Sequence, residues 1–544
     1  MEKKIKELLY ELVSVQSDTG TYKEREIEKF IHNYLGNIDY FRENPENFGL
    51  HQVDNDSLGR SIVWGLLKGE GSKTVILLHH HDVVDSFDYG VIKELAYNPD
   101  ALAESIRNAD INMDTLRDLE AGGWIFGRGT ADMKAAAAIH MVLLSEYCNN
   151  KDFNGNILFL SVPDEESLSL GARESAKLLQ DIRRKYSLEY LLCIDGEPYE
   201  KDEEGRSVIY EGSVGKTMVV IYVRGKKTHI GHIFQGLNPS HILSEIVAQI
   251  DMNTVYSDVV AGEVSPPPSW SFVRDTKEQY DASIPESAGG YFSVLTLSQS
   301  PRDILEKTIR MSEDAFENVI KKINQHYSNF RLMGNLPIET LPWESNVKLF
   351  SEVYNQAIED SGEEFLTAYQ DKFKQIKDDI SANRTNIPNS TLDLISTTLD
   401  YLQDKSPKVV IAFSPPYYPH IANLDFNNLG PKVSKIGSEL IDYAKKSIGT
   451  DYSIKNYFMG ISDLSYFALN NSEAVISYIE PNMPHWGRLY SIPFEDIKAL
   501  SIPIINIGPW GKDYHKFTER VFTEDVLYNT PKLTKFAIEY LLSD

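Results

Sequence analysis

Apolar, β-rich runs that stop abruptly at acids or imidazoles constrain this chain more than any other feature. Residues 74–78 read as a buried strand and lead without a break into His79-His80-His81-Asp82-Val83-Val84. Residues 156–162 lead into Pro163-Asp164-Glu165-Glu166, and residues 190–194 into Asp195-Gly196-Glu197-Pro198. Asp132 stands just ahead of an alanine-rich helical run at 135–147, and residues 502–507 run into a glycine-rich turn that carries His515. A charge just past a buried strand is unfavourable unless it is paired or binds a cation. Open α/β sheets place their ligand sites at the carboxyl ends of their strands. These strand ends are therefore expected to meet, although the His79–Asp82 stretch alone is equally consistent with a polar loop.

The remaining patterns set the expected organisation. Helical spacing at 1–13 and 24–35 precedes strands at 61–67 and 74–78, and the α/β alternation continues to about residue 212. Residues 213–325 read as strand, helix, strand, helix: strands at 216–223 and 291–297, a helix at 239–250, and a second helix from Ser300-Pro301 to about 323 with serine as its cap. This stretch is expected to be a compact α+β insert. A polar helical segment at about 330–407 follows, with candidate helices at 346–360 and 392–402. A strand at 408–413, a helix at 433–446 and the final helix at 532–542 then resume the first domain, so that 326–544 is its second part. The expected class is α/β, a mixed-sheet domain interrupted by a smaller α+β domain.

Composition narrows the function. Eighty Asp and Glu against 54 Lys and Arg leave a formal charge of -26, which repels polyanions and acidic membranes, so neither nucleic acid nor a membrane is an expected partner. Only Cys148 and Cys193 are present, too few for a disulfide framework. The first thirteen residues form an amphipathic surface helix rather than a secretory signal, and no run is long enough to span a bilayer. A cytoplasmic protein is expected.

A mixed imidazole and carboxylate set suits zinc or a similar first-row ion. Two histidines and several carboxylates suffice for two ions sharing a bridging carboxylate, provided one further carboxylate stays free to take a proton from water. Adjacent Glu165 and Glu166 point different ways on an extended or turning segment and can divide those tasks. Asp82, at His-x-Asp spacing, suits orientation of a His80 ligand through its other ring nitrogen. Asp195 and Glu197 compete for one ligand position.

These stretches, in this order, resemble the co-catalytic zinc exopeptidases and aminoacylases that include glutamate carboxypeptidase, succinyl-diaminopimelate desuccinylase and peptidase T. His80-His81-Asp82-Val83-Val84 resembles the family's His-x-Asp-Val-Val, Gly127 to Lys134 its Gly-Arg-Gly-x-x-Asp-x-Lys, and Asp164-Glu165-Glu166 its Asp-Glu-Glu. Gly196-Glu197-Pro198 is similar to its Gly-Glu-Pro, and His515 with the acidic residue after it to its C-terminal ligand histidine. The resemblance implies two divalent metal ions, zinc with cobalt or manganese as alternatives. Asp132 would bridge them, His80 and Glu197 would complete one site, and Glu166 and His515 the other. Glu165 would be the general base and Asp82 would orient His80. Gly225 to Gly231 resembles the family's Gly-x-x-x-His-x-Gly, so that His229 would reach a substrate carbonyl from a lid domain that serves for dimerisation in relatives; a homodimer through it follows from the same likeness.

The implied activity is hydrolysis of an amide bond in a small N-acyl amino acid or short peptide. The alternative is a non-catalytic, metal-stabilised binding or regulatory protein of the same fold. Departures from the pattern lie at Ala135, Asp85 and Ser465, the last where many relatives carry a substrate-binding arginine. The extra segment near 330–407 and the overall length resemble the branch associated with arginine utilisation.

Overall fold

In the computed structural model, which describes residues 1–470 and 472–543, the apolar runs become the centre of an eight-stranded mixed sheet. Its strand order is Phe48–Gln52, Ser61–Leu67, Asn156–Val162, Lys73–His80, Glu189–Asp195, Ile504–Asn506, Ser207–Tyr210, Tyr452–Lys455. Asn156–Val162, Lys73–His80, Glu189–Asp195 and Ile504–Asn506 are mutually parallel, with His80 opposite Val162 and Leu78 opposite Asp195. All of Asn156–Val162 is buried, as is Lys73–His80 beyond its first residue. Such strands read as unbroken apolar runs because helices cover both faces of a parallel sheet. Parallel pairing also brings their carboxyl ends to one edge, which is where the acids and imidazoles follow.

One face is covered by helices whose apolar residues recur every three or four positions. Glu2–Ser14 buries Ile5, Leu8, Leu9, Leu12 and Val13, and it shares a core with Ala135–Cys148, Thr530–Leu542 and the sheet residues Val75, Leu77, Ile157 and Phe159. Each large aliphatic side chain buried there contributes about 1.5–3 kcal/mol. Leu170–Tyr186, directly after the Asp164-Glu165-Glu166 loop, is buried along Ala172, Ala176, Leu179 and Ile182. A small three-stranded sheet of Gly511–Lys512, Arg520–Phe522 and Trp124–Phe126 ties the His515 loop to the segment leading to Asp132.

The chain divides into two compact units: Met1–Val214, Pro419–Asn470 and Pro493–Asp544 form one, Gly215–Tyr418 and Asn471–Ile492 the other. The second unit therefore does not end at residue 325. Its five-stranded sheet runs Ser269–Asp275, Ser287–Thr296, Gly215–Arg224, Lys408–Tyr418, Val347–Leu349. Lys408–Tyr418, expected to resume the first domain, instead pairs antiparallel with Gly215–Arg224, from Lys408 opposite Arg224 to Ser414 opposite Met218.

The segment at 330–407, expected as an appendage of the first domain, supplies Phe350–Ser381 and Ile387–Asp400. Phe365, Tyr369, Leu394 and Leu399 on these helices bury the same face of the sheet as Val220, Tyr222, Val410 and Ala412. A run of buried apolar residues shows that a strand exists but not which sheet it completes. The helix after Ser300 has the expected cap, with a reciprocal bond to Asp303, and runs on to Met333. Ser269–Asp275 forms an edge strand of this sheet.

Candidate metal centre

Each strand end delivers one part of a single cluster in the first unit. His80 closes its strand fully buried, with Nε2 3.0 Å from Asp132 Oδ1 and 3.7 Å from Glu197 Oε1. His515 Nε2 lies 3.2 Å from Asp132 Oδ2 and 3.0 Å from Glu166 Oε2. Asp132 thus stands between two imidazoles, one on each carboxylate oxygen. Ligand atoms of His80, Asp132 and Glu166 all lie within 4.8 Å of one another, and so do those of His80, Glu165 and Glu197. The second grouping includes the glutamate that the sequence reading kept off the metals; within that distance it is equally placed to meet a water held at the cluster.

Asp82 does more than the spacing indicated. His80 Nδ1 lies 3.0 Å from the Asp82 backbone oxygen and 3.6 Å from its Oδ1. The Asp82 carboxylate also accepts the backbone N–H of Glu165 and of Glu166, each at 3.1 Å. One buried acid therefore ties the histidine strand to the glutamate loop. His79 and His81 are directed elsewhere, His79 to His140 at 3.3 Å and His81 to Ser161 at 2.9 Å.

Asp195 and Glu197 are told apart by their partners. Both Asp195 oxygens are engaged, by the Gly196 N–H at 2.9 Å and by the Ser462 hydroxyl at 2.7 Å, whereas Glu197 is the acid grouped with His80. The Gly460–Asp463 segment anchors Asp195 through Ser462, with Asp463 also buried. His229 lies in the second unit, exposed, its Nδ1 accepting the Gly231 N–H at 3.1 Å.

The electrostatics mark a cluster short of positive charge. Burial, reinforced by Asp132, pushes Glu166 up to about 7, and burial raises Asp195 to about 6 and Asp463 to about 8. Burial and neighbouring carboxylates hold Glu165 and Glu197 well above the usual carboxylate range. Asp132 goes the other way despite its burial, because His515 and His80 hydrogen-bond to it. The same bonds from Asp132 and Glu166 lift His515 to about 11. So many crowded acids around two imidazoles fit divalent cations, which would replace the protons the carboxylates otherwise retain. The nitrogen and oxygen donors suit first-row ions.

Several supports escaped the sequence reading. Arg128, almost fully buried, donates to Glu519 at 2.9 Å and to Asp88 at 2.7 Å, while Glu519 Oε1 accepts the N–H groups of Ala131 and Asp132 at 3.1 and 3.3 Å. That pair fixes the loop presenting Asp132. Asn506 donates to the Glu197 carbonyl at 2.8 Å, and Gly508 packs so tightly there that a Cβ would fall 1.9 Å from that oxygen. The available signal was positional: Arg128 and Glu519 fall within the sequence motifs, Asn506 ends a central strand and Gly508 follows it closely.

A parallel-centred α/β sheet whose carboxyl edge gathers two imidazoles and a surplus of acids defines a metal-dependent hydrolase fold. The profile of peptidase family M20/M25/M40 matches residues 110–504, and the chain belongs to that family. Uncharacterized protein YqjN of Bacillus subtilis (strain 168) is 32% identical over 543 residues, 98% of this chain and 96% of that protein. Protein RocB of the same organism is 29% identical over 546 residues, 99% of this chain and 95% of that protein. The solved structure of aminopeptidase PepT from Bacillus cereus ATCC 10987 superposes with a TM-score of 0.53 at 15% identity, over 100% of this chain and 99% of that one, and shows the fold alone. No helix among the described residues is long and apolar enough to cross a membrane.

Proposed function

We propose that the protein hydrolyses an amide bond in a small N-acyl amino acid or short peptide, with two divalent ions held by His80, Asp132 and Glu197 on one side and by Asp132, Glu166 and His515 on the other. The observation that carries this reading is Asp132 lying between two imidazoles, 3.0 Å from His80 and 3.2 Å from His515. Bound there, the ions supply polarisation of the substrate carbonyl and a lowered water pKa. Zinc is the ion proposed, with cobalt or manganese suiting the same donors.

The chain's own residues do the rest. Glu165, held well above the ordinary carboxylate range by burial and its acidic neighbours, takes a proton from the attacking water and passes it to the leaving amine. Asp82 keeps His80 in the tautomer that turns Nε2 towards Asp132, since Nδ1 faces the Asp82 backbone oxygen. His229 is assigned the substrate carbonyl by the family resemblance. The full-length matches to YqjN and RocB, extra helical segment included, support a shared branch, and an arginine-derived substrate is proposed on the sequence resemblance. Both cysteines are free, in keeping with the cytoplasmic setting proposed for the chain.

Replacing Glu165 by glutamine tests the assignment. Turnover on an acyl-amino-acid and dipeptide panel weighted to arginine, ornithine and glutamate derivatives should fall by about 100-fold or more at unchanged metal content. His229→Ala, assayed alongside, should also lower kcat at unchanged metal content. A Glu165→Gln protein as active as the unaltered one removes Glu165 from the mechanism.

A further inference from the structure

Asp164, the first residue of the Asp164-Glu165-Glu166 loop, sits at φ +72°, a left-handed backbone conformation uncommon for residues other than glycine. Its carbonyl accepts the N–H groups of Leu168 and Ser169 at 3.2 and 2.7 Å, and its carboxylate accepts that of Leu170 at 3.2 Å. What grips it from outside the loop comes from far away in sequence. Glu24, fully buried at the start of the helix Glu24–Gly36, accepts the Asp164 N–H on Oε2 at 3.0 Å. Its Oε1 accepts Arg60 Nη1 at 2.8 Å and the Gly20 N–H at 2.7 Å. Arg60 Nη1 reaches the Asp164 carboxylate at 2.6 Å, while Nε and Nη2 hold Asp56 at 3.0 and 3.1 Å. Glu24, Arg60 and Asp164 are each at most 5% exposed.

We infer that Glu24 and Arg60 are positioning residues for the metal centre: together they clamp Asp164 so that the next two residues present their N–H groups to Asp82 and their side chains to the cluster. The geometry closes a ring. Glu24 and Arg60 fix Asp164 from one side, Asp82 fixes the peptides of Glu165 and Glu166 from the other, and Asp82 also orients His80. Every bond Glu24 makes in this ring is one it accepts, so an amide in its place turns a donor towards a donor. The two sides of Arg60 differ in what they serve. Asp56 accepts from the arginine's outer edge, from its backbone N–H and from the Leu58 N–H, whereas Glu24 accepts from the glutamate loop itself.

This inference rests on the assignment of Glu166 as a metal ligand, but its test does not require turnover. Zinc ion is titrated into the full-length chain, stripped with chelator, in competition with a chromophoric chelator. Glu24→Gln should weaken binding by about 10–100-fold, the range seen when residues supporting a ligand are removed. Asp56→Asn, which loosens Arg60 from the far side, should change zinc affinity by less than about threefold even where it lowers the melting temperature as much. Arg60→Lys keeps the charge without the three-way grip and should weaken binding in the same direction as Glu24→Gln, deciding the matter if the latter does not fold. Unchanged zinc affinity in a folded Glu24→Gln or Arg60→Lys chain, or an equal loss in Asp56→Asn, overturns the inference. A zinc-loaded but inactive unaltered protein would instead overturn the hydrolytic reading and leave this one standing.

Discussion

Single residues were the most legible level for the site. The strand-end acids and imidazoles stand out in sequence because a parallel core strand is an unbroken apolar run, so its first charged residue marks its end. The strand ends at His80, Glu165-Glu166 and Asp195-Glu197 were readable in that way, the particular set His80, Asp132, Glu166, Glu197 and His515 followed from the family resemblance, and the structure brings these five side chains together. Asp82 was legible as a support through its His-x-Asp spacing, but the roles of Asn506 and Gly508 were not, because they act through contacts with the Glu197 backbone that leave no spacing pattern. Gly508→Ala should therefore displace the Glu197 carbonyl and weaken metal binding by about tenfold or more, measured by zinc titration. Unchanged affinity would mean that the Glu197 segment is not held from that side.

Away from the cluster, His485 in the second unit is buried with its ring 3.0 Å from the Ser390 hydroxyl, and burial lowers it from 6.5 to about 4. The folded chain keeps it neutral, while the unfolded chain takes up a proton below about 6.5. Its contribution is full above that pH and is lost as pH falls towards 4, by at most about 3 kcal/mol. Unfolding free energy measured across that window should fall less steeply in His485→Gln than in the unaltered chain. Equal slopes would show that the ring does not stay neutral in the fold.

At the scale of elements, the long periodic helices and the central strands were readable, whereas short strands and strand partners were not. Phe48–Gln52, Ser207–Tyr210 and Tyr452–Lys455 lie towards the sheet's margins and are too short or too exposed to show a period. The polar helices after residue 333 looked detachable because their charged faces dominate their composition, while the buried stripe of Phe365, Tyr369, Phe373 and Ile376 is narrow. That stripe makes them part of the second unit's core. Phe365, fully buried, is the position to test: Phe365→Ala should lower unfolding stability by about 3–5 kcal/mol while zinc stoichiometry stays unchanged. A loss below 1 kcal/mol would mark the segment as an appendage after all.

For the whole molecule, the sequence established the class and the discontinuity but drew the second boundary too early. A strand as buried as Lys408–Tyr418 carries no record of which sheet it completes, and only its pairing with Gly215–Arg224 assigns it. The first unit is nonetheless assembled from three separated stretches, and each contributes to the cluster or its supports: His80 to Glu197 from the first, Ser462 from the second, His515 and Glu519 from the third. Under the proposed metal assignment, metal binding and folding of that unit are expected to be coupled. The most direct measurement is elemental analysis of the purified full-length chain, paired with hydrolysis of the acyl-amino-acid and dipeptide panel before and after chelation. Two divalent ions per chain, with turnover lost on chelation and restored by zinc, cobalt or manganese, is the result the account predicts. A chain carrying two ions and hydrolysing nothing on the panel, or one hydrolysing at full rate after its metal is removed, would contradict it.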